Sequence, residues 1–125
     1  IIGVWSANSV DIAATETTTL LGQTIYSSDT SYTITPQDAD WDFEENLEFT
    51  SSGTIVTSDS SDNDTYTILG NTLTIISSDG EESEATYTVS KNNLSLTIID
   101  SETETDFTGA TNFSSYEMTI NCIRQ

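Results

Sequence analysis

Histidine is absent, and the basic side chains number two, Lys91 and Arg124. Without histidine the chain lacks the usual general base, the serine–histidine–aspartate arrangement and the commonest transition-metal ligand. The composition therefore assigns no catalytic residue, no zinc site and no cofactor, and the sequence reads as a non-enzyme. Carboxylate pairs suited to acid–base hydrolysis are not excluded by counting, but no pair stands out in an apolar setting. Two basic residues against 21 acidic ones leave a formal net charge of −19. Such a surface repels phosphate backbones and anionic lipid, which excludes nucleic acid as a partner.

Cysteine occurs once, at Cys122, so no intrachain disulfide can form and compartment cannot be read from pairing. Its place in an apolar run reads as a buried strand residue in preference to a reactive thiol. No apolar stretch approaches the ~20 residues of a membrane span. The single methionine is Met118, so an export signal or lipid-anchor cysteine is expected upstream of Ile1. Scarce lysine with abundant Ser and Thr leans toward an exported protein, whether periplasmic, outer-membrane-tethered or secreted.

What is abundant is period-two alternation. NLEF, TSSG and TIVTS form one hairpin with Gly53 in its turn; TYTIL, GN and TLTII form a second around Gly70 and Asn71. EATYTVS, KNN and LSLTIID form a third around Asn92 and Asn93, with Lys91 solvated in the bend. SYEMTINCIRQ supplies a last strand with Tyr116, Met118, Ile120, Cys122 and Arg124 on one face, and Ile2 to Ser9 supplies the first. Eight short strands of about five or six residues in a meander suffice to close as an up-and-down barrel, which also removes exposed edges. By length the 125 residues make one domain.

The stretch from residue 10 to 45 is read as a crossover or lid. Thr35, Pro36 and Asp38 resemble an N-cap, an N1 proline and an acidic N3 residue, predicting a short helix to about Glu45 with Ala39, Phe43 and Leu47 as its apolar stripe. The letters DWDFE alternate, so a strand there stays open. TIY and YTI are candidate short strands or ordered loop, and TETTTL reads as a mobile tip.

Gly3-Val4-Trp5 resembles the Gly-x-Trp signature of lipocalins. Followed by LEFTSSGTIV, TYTILGNTLTI and ATYTVSKNNLSLTI, it is similar to the lipocalin-like domains of exported bacterial proteins, over residues 1–10 and about 46–125. The resemblance implies a calycin-type fold: an eight-stranded antiparallel up-and-down barrel with an apolar interior and no catalytic residues. It also implies that Trp5 plugs the closed end beneath a basic side chain from the C-terminal strand. Arg124 has the parity for that role, and with Gly3 and Trp5 it forms the expected barrel closure. The chain departs from the family in lacking a cysteine pair and in its residues 10–45.

The interior is the leading candidate site, a binding module for a small hydrophobic or amphipathic ligand lined by Phe49, Tyr66, Tyr87, Leu96, Tyr116 and Met118, with Trp41 on the lid. Phase puts Leu47, Ile55, Ile68, Leu73, Ile75, Val89, Leu94, Ile98 and Ile120 on the same face. A closed-core barrel acting as a structural or protein-interaction module is the alternative, and a sandwich-type adhesion domain is a third reading. SDSSDNDT (residues 58–65) and SDGEESE (residues 78–84) read as acidic hairpin loops, capable at most of weak surface cation binding because their spacing fails the EF-hand pattern. A monomer is expected.

Overall fold

Threonine, isoleucine, tyrosine and valine fit a pleated, half-buried surface, and their runs all become strands. The computed structural model describes residues 1–41, 46–57 and 64–125. Its strands are β1 (Gly3–Leu20), β2 (Gln23–Ile34), β3 (Leu47–Phe49), β4 (Thr54–Thr57), β5 (Asp64–Leu69), β6 (Thr72–Ile76), β7 (Glu82–Val89), β8 (Asn93–Thr105) and β9 (Thr111–Arg124). β1 pairs with β3, successive strands pair through to β9, and β9 returns to β1, every pairing antiparallel. Eight strands thus close as a barrel, and β2 stands outside it.

The barrel's centre is a single apolar cluster. Trp5, Phe49, Ile55, Leu73, Leu94, Leu96 and Cys122 are buried, with Leu47, Tyr66, Ile75, Tyr87 and Ile120 among the half-buried groups packed against them. Each such aliphatic or aromatic side chain contributes roughly 1.5–3 kcal/mol on leaving water, which makes this cluster the main source of stability.

β1 decides the rest of the architecture. Gly3–Trp5 pair with β3, but from Val10 to Leu20 the same edge pairs with β2, while the opposite edge follows β9 from Trp5 to Thr19. The register slips between Ala7 and Ser9. A bulge of this kind bends a strand and sharpens its twist, and it marks where β1 leaves the barrel wall. β8 behaves alike: it pairs with β9 along its whole length but with β7 only across Leu94–Thr97. The outcome is a four-stranded sheet, ordered β2-β1-β9-β8, that runs on from the barrel for roughly 30 Å at ~3.3 Å per residue.

At the far end the two hairpins turn side by side. Leu21 (φ 53°) and Gly22 (φ 77°) form a two-residue turn with positive φ at both positions, the geometry that matches strand twist. Asp106 organises the β8–β9 turn by accepting from the Thr108 and Ala110 backbone N–H groups at 2.8 and 3.2 Å. Leu21 and Phe107 are fully exposed at these tips.

The expected helix or lid between the first two barrel strands is overturned, because no helix occurs among the described residues. Its start signal is nevertheless visible: the Asp38 carboxylate accepts from the Thr35 backbone N–H at 2.7 Å, the back-reach of a capping box. Two successive turns follow instead, Asp38 N–H to the Thr35 carbonyl and Trp41 N–H to the Asp38 carbonyl. Leu47, the end of the proposed stripe, is taken by β3, where Trp5 and Thr57 are its partners. Ladder pairing on two sides outweighs a single cap. Phe43 and most of DWDFE lie outside the described residues. The segment read as a mobile Thr-rich tip, TETTTL, is paired strand on both edges, and TIY and YTI are both part of β2. The expectation of short strands also fails, since β1, β8 and β9 have 18, 13 and 14 residues.

Candidate functional site

Three places bear on function: the interior, the closed end and the extension. In the interior, Phe49 and Leu96 are buried, and Tyr66 meets Phe49 edge to face with ring centroids 5.2 Å apart. The Tyr66 hydroxyl donates to the Thr50 carbonyl at 2.6 Å, and the Tyr87 hydroxyl donates to the Gly70 carbonyl at 3.2 Å. Both phenol protons are therefore committed to the protein's own backbone. Burial pushes the Cys122 thiol up to about 11, so at neutral pH it is a protonated, apolar part of the wall.

The seven residues named as ligand-lining do not gather in one place. Phe49, Tyr66, Tyr87 and Leu96 belong to the core cluster, whereas Tyr116, Met118 and Trp41 stand outside it. Met118 is half-buried at the barrel mouth, paired with Ile12 and Ile98. Tyr116 lies one row further out on the extension, between Ala14 and Asp100, and is 40% exposed. Trp41 is half-buried beyond the turns that follow β2. Ile68 and Val89, assigned to the inner face by phase, are exposed at strand ends.

At the closed end the Arg124 guanidinium carbon sits 4.2 Å from the centroid of the Trp5 ring, and the two residues are register partners of β9 and β1. Trp5 Nε1–H donates to the Ile1 carbonyl at 2.7 Å. Arg124 donates through Nε to the Lys91 carbonyl at 2.7 Å and through Nη1 to the Ile2 carbonyl at 3.1 Å. One side chain thereby ties the N-terminal segment, the β7–β8 turn and the indole together. Gly3 makes room for it: its φ of 139° suits glycine, and a Cβ there would collide with Arg124 Nη1.

Where the extension leaves the barrel, a polar clasp crosses four strands. Asn121 on β9 accepts from the Ser95 hydroxyl of β8 at 3.0 Å and donates to Ser9 Oγ at 3.2 Å and to Asp11 Oδ2 at 2.9 Å on β1. The Thr33 hydroxyl of β2 donates to Asp11 Oδ1 at 2.6 Å. These donors hold the Asp11 carboxyl below its ordinary range, Thr33 contributing most.

Beyond the clasp the sheet is polar. Shallow hollows open on it, one of about 440 Å³ lined by Ala14, Glu16, Ser28, Asp100, Glu102 and Tyr116 among others. Asp100, Glu102 and Glu104 alternate along β8 and share the face that carries Glu16. Neither this acidic strand nor the Asn121 clasp was found by reading the sequence. The available signal is SETET, which continues the period-two pattern of LSLTIID past Asp100 to the strand's end at Thr105. Among the described residues no group of three acidic or thiol side chains is placed to hold a metal. The acids of residues 78–84 are exposed around a turn in which Asp79 accepts from the Ser77 hydroxyl and the Glu81 N–H, and residues 58–63 lie outside the described residues. Among the described residues no helix is long and apolar enough to cross a membrane.

The closed, eight-stranded antiparallel barrel is consistent with a calycin-type fold. Comparison with models of known protein families, with curated proteins and with solved structures gives no match.

Proposed function

We propose that this chain is a closed-core β-barrel acting as a structural or protein-interaction module of an exported, lipocalin-like protein, with the barrel as anchor and the projecting sheet as the part offered to other molecules. The observation that carries this reading is the occupied barrel axis: Trp5, Phe49, Leu73 and Leu94 are fully buried against one another, where a ligand carrier keeps a hollow. The committed hydroxyls of Tyr66 and Tyr87 add support, since a ligand in need of orientation would find neither free.

Uptake of an environment-sensitive apolar dye, with displacement by a fatty acid, tests it. The reading expects no displaceable uptake, and native mass spectrometry of protein purified from its own host should show the bare chain mass. Stoichiometric, displaceable binding that quenches Trp5 would restore the interior as a ligand site.

A further inference from the structure

Strand β8 parts from β7 after Thr97. Ile98–Thr105 pair with β9 on one side, and among the described residues nothing pairs with them on the other. Glu82–Ala85 of β7 keep β6 as their partner, so the two strands diverge as a fork. A hollow of about 210 Å³ lined by Thr72, Glu84, Ala85, Thr86, Thr97 and Ile99 lies where they part. An unpaired strand edge is a row of backbone donors and acceptors waiting for another strand.

We propose that the free edge of β8, Ile98–Thr105, accepts an extended basic segment of a partner protein as an added strand. The edge supplies the main-chain bonds, and the charges select the occupant. Asp100, Glu102 and Glu104 alternate along β8, and Glu82 and Glu84 stand on the diverging arm of β7, with no lysine or arginine on either strand. The segment that fits has Lys or Arg at every second position, because a paired strand presents alternate residues to one face. Glu102 already shows the crowding that such a partner would relieve: its carboxyl is raised by its neighbour Glu104. A second copy pairing through its own β8 is a poor occupant, since it would bring three like charges against three. The opposite edge, β2, carries one charge, Asp29, and gives no comparable basis for choosing a partner.

This inference rests on the interaction-module reading and deepens it. The test is amide hydrogen exchange of the intact chain with a short synthetic peptide alternating lysine and valine, beside a peptide of the same composition with its lysines grouped at one end. The alternating peptide should slow exchange across Ile98–Thr105 and bind about tenfold more tightly than the grouped one, and its binding should weaken with salt. The exposed triple variant Asp100→Asn, Glu102→Gln, Glu104→Gln should keep its melting temperature and lose about tenfold in affinity, as three surface ion pairs predict. Equal binding of both peptides without protection of β8 would overturn the proposal. So would protection on β2, or slowed exchange at β8 that appears with protein concentration alone. Failure here with a fatty acid still refused leaves the closed-core module standing. Displaceable fatty-acid binding sinks that module whatever the peptide does.

Discussion

In the barrel, Trp5, Phe49, Leu73 and Leu94 are sealed from water. Further along β1, β9 and β8, the extension carries Thr15, Ser115 and Ser101 on one face and Glu16, Ser114 and Glu102 on the other, with both faces wet. Of the described buried apolar residues, only Val10 and Ile12 at the base and Ala110 at a turn belong to the extension. The barrel is therefore held by burial, and the extension by its backbone ladder, the Asn121 clasp and cross-strand pairs such as Thr97–Thr119 and Thr105–Thr111. What this teaches is a division of stability: a hard closed end, and an arm that can open locally without unfolding the whole.

The largest loss is expected at the hard end. Trp5→Ala removes the largest fully buried side chain and should cost about 3–5 kcal/mol. Urea unfolding should show one shifted transition, with arm and barrel lost together. Arg124→Ala leaves the indole but removes its cation and two carbonyl contacts. Because Arg124 as a residue is exposed, a loss of about 1–2 kcal/mol is expected in the same measurement. A variant indistinguishable from the parent would show that the stacking does not close the barrel.

The clasp separates the two regions. Asn121→Ala should cost about 1 kcal/mol and accelerate amide exchange in β2 and the outer half of β1, with barrel amides unaffected. Asp11 gives the same division a pH signature. Its folded carboxyl is held below the ordinary 3.8, so its contribution is complete above that value and is lost as pH falls through the lowered one. Protection of the β2 amides, taken against their intrinsic exchange rates, should therefore fall on acidification below about pH 4 ahead of protection in the barrel, and Asp11→Asn should erase the difference. The smallest effect is expected at the tip. Leu21 takes a positive φ that asparagine tolerates better, so Leu21→Asn should stabilise the β1–β2 hairpin by about 0.5–1 kcal/mol, read as slower exchange in β2.

The regions also differed in how much could be read from letters. The three central hairpins were legible because Gly53, then Gly70 and Asn71, then Asn92 and Asn93 punctuate alternation of apolar and polar residues. The β1–β2 hairpin lacked both signals. Its turn is Leu21-Gly22 in place of Asn-Gly, and beyond Ile12 its arms are rich in threonine and serine with little apolar contrast, because neither face there meets a core. Thr35 and Asp38 did announce a cap, correctly as a local contact and wrongly as a helix, since nothing downstream continued the turn. Phase read the inward placement of Phe49, Tyr66, Tyr87 and Leu96, which is a statement about packing and not about a ligand. Tyr116 and Met118 share that phase but lie beyond the point where the wall closes, and phase cannot report how far a barrel extends along its strands.

Composition and periodicity alone determined the all-β character, most of the inward side chains of the central strands and the absence of histidine chemistry, because these depend on residue type and on the two-residue repeat of a pleated chain. Only the tertiary structure decided where β1 exchanges β3 for β2 and where β8 leaves β7. Strand length and edge exposure depend on which neighbour offers its backbone groups at each row, and no single strand carries that information in its own side chains.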